Sequence, residues 1–239
     1  DGYTLIVNSV GPMAVNTTLY GKLPYNPMTD LVPIVQIADV PNVLIVNPSV
    51  PAKTMEEFLA YAKANDGKLN YGSTGVGTSS HLSSFMLGKR AGFSATHIPY
   101  KGSTPALNDL MGGQVDVVFD TLPATQPFIK GGRLRALAIT TAQRNAAIAD
   151  VPTATEAGLK GFEVSSMFGL LAPAATPKDV IARLSSAMRD IMAMPEVKDA
   201  LAAQGAAAVY TSPEEARLAI RDEVARWSKI IKDANIKPD

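Results

Sequence analysis

No cysteine occurs among the 239 residues, which removes thiol nucleophiles, thiolate metal sites and disulfides at one stroke. Histidine is nearly as scarce. Only His81 and His97 are present, so a zinc site or a Ser-His-Asp arrangement has few candidates, and neither metal nor cofactor is expected. No surplus of one charge sign exists either: 22 Lys plus Arg balance 22 Asp plus Glu, and no field draws in nucleic acid or an anionic membrane. Binding must then rest on local groups. A charged segment leading into an apolar one, as in a signal peptide, is missing, and the apolar runs fall far short of the roughly 20 residues of a membrane helix. A mature, soluble chain is the expectation. Short repeats, low-complexity tracts and flexible linkers are absent as well.

What is present is an alternation of strand-like and helix-like segments. Asp1-Gly2 is a turn dipeptide directly ahead of the apolar run Tyr3 to Val7, so the chain reads as if it begins in mid-domain. Residues 8–33 read mostly as loop with at best a short helix, and 34–40 and 43–46 as two buried strands. Thr54-Met55-Glu56-Glu57 is a capping box that starts a helix over 55–65. Strands at 69–72, 95–99, 115–119 and 134–140 then alternate with helices starting near Leu82 and at Thr104, which predicts a mainly parallel sheet flanked by helices. A strand-like run over 162–172 follows. Cap-then-proline starts at Thr176-Pro177 and Ser212-Pro213 predict helices over 177–193, 196–203 and 213–233.

The densest polar feature is Ser73-Thr74-Gly75-Val76-Gly77-Thr78-Ser79-Ser80-His81, placed where a strand hands over to a helix. Amides at a helix start are unpaired, the macrodipole is positive there, and glycine lets a ligand approach the main chain, so an anion fits. Thr74, Thr78 and Ser79 would add hydroxyl donors. The bland alternative is that Thr78 or Ser79 only caps the helix and the glycines only make the turn. A nucleotide site is disfavoured, because the loop lacks the Gly-Lys-Ser/Thr of a P-loop and the third glycine of a dinucleotide fingerprint.

His81 is a candidate ligand contact or base, although a helix N-terminus lowers a histidine's pKa and a packed, hydrogen-bonded histidine is the commoner outcome. His97, inside an apolar run, reads as structural. Asp120 ends a strand and would project at the carboxyl edge of the sheet, where ligands of α/β proteins bind, unless it caps the helix at Pro123. Ser9, just past the first strand, and Phe168, in the stretch Ser165 to Phe168, are weaker candidates.

Asp1-Gly2-Tyr3-Thr4-Leu5, the Ser73–His81 loop, Ile98-Pro99-Tyr100-Lys101-Gly102, Gly113-Gln114-Val115-Asp116, Phe119-Asp120 and Pro173 to Pro177, in this order, resemble the tripartite tricarboxylate transporter receptors, the Bug family of solute-binding proteins. The resemblance spans the chain. It implies a periplasmic α/β protein of the two-lobed Venus-flytrap type, each lobe a mainly parallel sheet flanked by helices. Lobe one would hold residues 1–43 and 165–239, lobe two 44–164, with hinge strands near 43–47 and 164–171. It implies capture of a small carboxylate through two loops, the second of them Ser73 to Ser80. Asp120 would sit where some ligands present an amino or other polar group. The ligand class is a mono- or dicarboxylate, an aromatic carboxylate or an amino acid, passed by a monomer to membrane components of the transporter or to a sensor kinase.

The family pattern carries several dozen residues ahead of the Asp-Gly-Tyr-Thr segment, including a central strand and the first ligand loop, and these are not in the sequence. The expectation is that a longer molecule is the functional one, or that another chain or a rearrangement covers the gap. The competing readings are a carboxylate sensor, an α/β enzyme using His81 or Asp120 as base, and a non-binding fragment.

Overall fold

The computed structural model describes residues 2–237, so the turn expected at Asp1-Gly2 lies partly outside the described residues. In chain order the elements are β1 (Ile6–Ser9), a π-helical turn (Gly11–Val15), α1 (Asn16–Leu19), β2 (Leu31–Val46), α2 (Met55–Ala64), β3 (Leu69–Ser73), α3 (Ser79–Ala91), β4 (Ala95–Pro99) and α4 (Ser103–Met111). They continue with β5 (Val117–Thr121), α5 (Leu122–Lys130), β6 (Arg135–Ile139), β7 (Ser165–Pro173), α6 (Lys178–Ala193), α7 (Pro195–Ala203), β8 (Ala207–Ala208) and α8 (Pro213–Ala234). Helix ends follow their caps. Thr54 accepts the Glu57 amide at 3.2 Å to start α2, and Ser212 and Glu215 form a reciprocal capping box ahead of α8.

The chain divides into two compact units, Asp1–Asp39 with Ser166–Asp239, and Val40–Ser165. In the second, β3 lies parallel between β4 and β5, with Tyr71 opposite both His97 and Val117. The end of β2 (Asn42–Val46) runs antiparallel to β5, and Val43–Val46 also pairs antiparallel with β6. Helix–strand alternation produces this order because each strand–helix–strand crossover returns the chain in the same direction. The core holds Val43, Ile45, Leu110, Val118, Leu122 and Ile139, all buried.

In the first unit β7 lies between β1 and β2. β1 runs antiparallel to β7, from Ile6 opposite Leu171 to Ser9 opposite Phe168, and the Ala38–Asp39 stretch of β2 runs antiparallel to β8. These strands come from distant parts of the chain, so no crossover helix imposes a common direction. Along α8, Ala216, Ile220, Trp227 and Ile231 are buried at helical spacing, and the Trp227 indole donates to Glu223 at 2.7 Å. On β1, Ile6 and Val7 stay well exposed.

A second difference is that 34–40 and 43–46 belong to one 16-residue strand, β2, despite Pro33 and Pro41. Pro41 falls between Asp39, paired with β8, and Asn42, paired with β5. Its missing N–H therefore interrupts neither ladder.

Phe58 of α2 is fully buried and meets the Phe93 ring edge-on at 6.3 Å between centroids. Phe58→Ala should destabilise the second unit by about 3–5 kcal/mol, visible as a lower denaturation midpoint in urea.

Candidate ligand-binding site

Because β3, β4 and β5 run parallel, their carboxyl ends share one edge of the second unit's sheet, and α3, α4 and α5 each begin there. Helix starts gathered at a strand edge concentrate unpaired amides and positive dipole ends. The loop after β3 is tied to the loop after β4 by the Tyr100 amide donating to the Ser73 carbonyl (3.0 Å) and the Gly102 amide to the Thr74 carbonyl (3.1 Å).

Within the loop, Gly75 and Gly77 take φ of 142° and 77°, values that L side chains rarely adopt. Thr78 accepts the His81 amide as the cap of α3 and donates to the Gly75 carbonyl at 2.7 Å. Ser80 accepts the Thr74 amide and donates to the Phe119 carbonyl. Ser73 is fully buried, with its hydroxyl 2.6 Å from His97 Nε2 and 3.2 Å from the Gly75 carbonyl. Ser79 reaches Asn42, and Thr74 donates to Thr78. The hydroxyls expected as ligand donors are thus engaged in holding the loop.

The amides of Val76, Ser79 and Ser80 make no hydrogen bond to any described residue. The cap and the glycine turn are both real, yet they leave these three donors open. No described basic side chain bonds to the loop, and the neighbouring Lys101 is exposed. An anion here would be held by backbone dipoles alone.

Asp120, next to last in β5, is 2% exposed. Its Oδ1 accepts the Thr121 amide at 2.7 Å and the Ser103 hydroxyl at 3.1 Å, whereas Oδ2 is buried without a hydrogen-bond partner. The helix that follows, α5, has no side-chain cap, so Asp120 does not serve it as the helix cap that the sequence left open. Burial pushes its pKa up to about 6, against the Thr121 and Ser103 hydrogen bonds that pull it down.

His81 is buried, its Nδ1 accepting the Gly77 amide at 3.2 Å and its ring stacked on His97 at 4.1 Å between centroids. Ser9 and Phe168 face each other on the β1–β7 ladder, in the first unit, while the loop, His81 and Asp120 stand together in the second. A groove of about 960 Å³ along α2, lined by Lys53, Lys63, Asp150 and Glu156 among others, includes neither the loop nor Asp120.

Asn42, Ser103 and Thr140 bond around the loop and Asp120, and sequence reasoning passed over them. Asn42 is fully buried, accepts Ser79 and donates to Ser83, and its main chain is bound on both sides by Thr140. A lone Asn inside the apolar run Val40 to Val46 was the available signal. Ser103 opens α4 after a glycine at φ 109°, a helix start visible in Gly102-Ser103-Thr104-Pro105.

The second unit thus sets open amides at a helix start beside a buried carboxylate on an α/β scaffold. Residues 1–236 match the model of the tripartite tricarboxylate transporter family receptors, and the chain belongs to that family. Protein BugT of Bordetella pertussis is 36% identical over 238 residues, covering 99% of this chain and 73% of BugT. Among solved structures, R. palustris Rpa4515 with adipate superposes with a TM-score of 0.96 at 36% identity, over 100% of this chain and 80% of that one. MatC (Rpa3494) from Rhodopseudomonas palustris, with bound malate, gives 0.89 at 32% identity, over 97% of this chain and 80% of that one. The fold is that of periplasmic binding proteins, as the TM-score of 0.94 at 33% identity with periplasmic binding protein BugD shows, and no described helix is long and apolar enough to cross a membrane.

Asp120 gives the ligand-free protein a definite pH signature. Its native pKa of about 6 exceeds the ordinary 3.8, so the folded state holds a proton that the unfolded state releases. Stability therefore declines as pH rises from 3.8 through about 6, by about 3 kcal/mol in all. Asp120→Asn should remove that decline and raise the apo melting temperature near neutral pH, as differential scanning fluorimetry across pH would register.

Proposed function

We propose that this chain captures a small carboxylate in the periplasm, at the loop Ser73 to Ser80, and presents it to membrane components of a tripartite transporter. The observation that carries the reading is the set of open amides at Val76, Ser79 and Ser80, beside the buried Asp120 whose Oδ2 lacks a partner. Three amides at a helix start bind a carboxylate without a formal positive charge. Asp120, ionised above about pH 6, accepts a hydrogen bond from a ligand hydroxyl or ammonium group. The adipate and malate of the two relatives make dicarboxylates the class to try first. β2 and β7, the strands that carry the chain between the units, are the proposed hinge.

A thermal-shift screen with adipate, malate, aromatic carboxylates and amino acids tests this reading. A ligand at about a hundred times its dissociation constant should stabilise by roughly 2.7 kcal/mol. No shift from any of them would sink the proposal. Gly77→Ala must hold φ 77° with a Cβ, which costs about 1–2 kcal/mol, and should weaken binding about tenfold. Asp120→Ala should lower affinity for malate by tenfold or more, as loss of a hydrogen bond to a charged group of about 1.5–3 kcal/mol predicts, and should not lower affinity for adipate, which has no donor to offer and is relieved of a neighbouring negative charge.

A further inference from the structure

His81 was a candidate ligand contact, but its geometry gives it another task. A main-chain N–H can only donate, so the 3.2 Å contact from the Gly77 amide makes Nδ1 of His81 an unprotonated acceptor. Gly77 sits at φ 77° directly ahead of the Thr78 cap, between the open amide of Val76 and those of Ser79 and Ser80. His81 lies one turn into α3, so this bond runs from the rigid helix back to the middle of the loop. The imidazole cannot turn away, because it is buried and packed parallel to His97, with 3° between the ring planes, and His97 in turn stacks on Tyr71 at 4.8 Å.

We infer that His81 is a positioning residue whose neutral Nδ1 latches Gly77 and so shapes the loop, and that protonation of this imidazole releases the loop and the carboxylate it holds. The inference rests on the carboxylate reading for its ligand, and on geometry alone for the latch. Protonation converts Nδ1 from acceptor to donor and sets two N–H groups against each other. Imidazole is the side chain that makes this change between about pH 5 and 8.

The strands packed against α3 carry one titratable side chain each: Tyr71 on β3, His97 on β4 and Asp120 on β5. Asp120 accepts from Ser103 and Thr121, not from either imidazole, and its own protonation in acid would favour an anion, the opposite sign. On α3 itself, Lys89 and Arg90 are exposed at the far end. His97 can carry a proton without losing its Ser73 contact, since a protonated Nε2 donates to the hydroxyl. A cation there opposes a second one on the parallel ring of His81. The pair therefore delays release to lower pH, and His97→Gln should move release to higher pH.

The test has a ligand arm and a ligand-free arm, both on the full chain. Calorimetry with adipate should show affinity falling by about tenfold or more between about pH 7.5 and 5. His81→Asn places an acceptor oxygen where Nδ1 stands and cannot titrate, so its profile should be nearly flat across that range. His81→Gln, whose acceptor stands one bond further out, should bind weakly at both pH values. Asp120→Asn should keep the acid loss, since it removes only the opposing titration. In the ligand-free arm, amide exchange by NMR should show Gly77 protection, corrected for intrinsic rates, disappearing as the His81 ring protonates.

A flat wild-type profile, an acid loss unchanged in His81→Asn, or Gly77 protection that survives His81 protonation would each overturn the inference. Should adipate, malate, the aromatic carboxylates and the amino acids all fail to bind at either pH while Gly77 protection is still lost in acid, the latch stands and the carboxylate reading fails, so the two are separable.

Discussion

The parallel pairing of β3 with both β4 and β5 is the constraint on which the second unit depends. Register alone puts Ser73 opposite Pro99 and Gly72 opposite Val118, so the three strands end side by side. Each is followed within a few residues by a helix, and three helix starts must then share one edge. The loop conformation, the buried Asp120 and the stacked imidazoles all follow from that convergence. Gly72 shows how tight the pairing is, because a Cβ there would stand 2.9 Å from Val118 and 3.3 Å from Tyr100. Any larger residue would force the strands apart and unpick the edge.

Among the described residues no basic side chain bonds to the loop Ser73 to Ser80. Helix starts supply partial charge on fixed amides, and a fixed dipole needs no counterion to satisfy it when no anion is bound. Asp120 is negative when ionised and buried, which the raised pKa expresses as an energetic burden on the ligand-free state. A second carboxylate beside it would be repelled unless the ligand brings a donor or Asp120 keeps its proton.

Much of the alternating framework was legible in the sequence because it is written locally. Thr54, Ser212 and Thr78 each announce a helix start within four residues, and the strand, glycine loop and helix around Ser73 need no distant partner to be recognised. Asp120 was legible for the same reason, as the residue at which an apolar strand stops. What was not legible is long-range. The Asn42–Thr140 bonds join residues 98 apart, and the His81–His97–Tyr71 stack assembles rings from a helix and two strands. His97 read as structural and His81 as a possible contact, yet the two act as one feature. The antiparallel pairs of the first unit were equally hidden, since their strands are separated by more than a hundred residues and carry no crossover signal.

A site made of main-chain amides has a consequence for how sequence and binding relate. Amides at a given backbone path are the same whatever side chains adorn it, so the path is what must be preserved. Superposition at a TM-score of 0.96 with 36% identity is what such a constraint permits. The side chains that cannot be exchanged freely are those that set the path: Gly75 and Gly77 by their φ values, Thr78 by its cap, Ser80 and Asn42 by bonds to strand and helix, and His81 by its hold on Gly77. Beside that loop in the second unit, Asp120 carries a buried oxygen with no hydrogen-bond partner among the described residues.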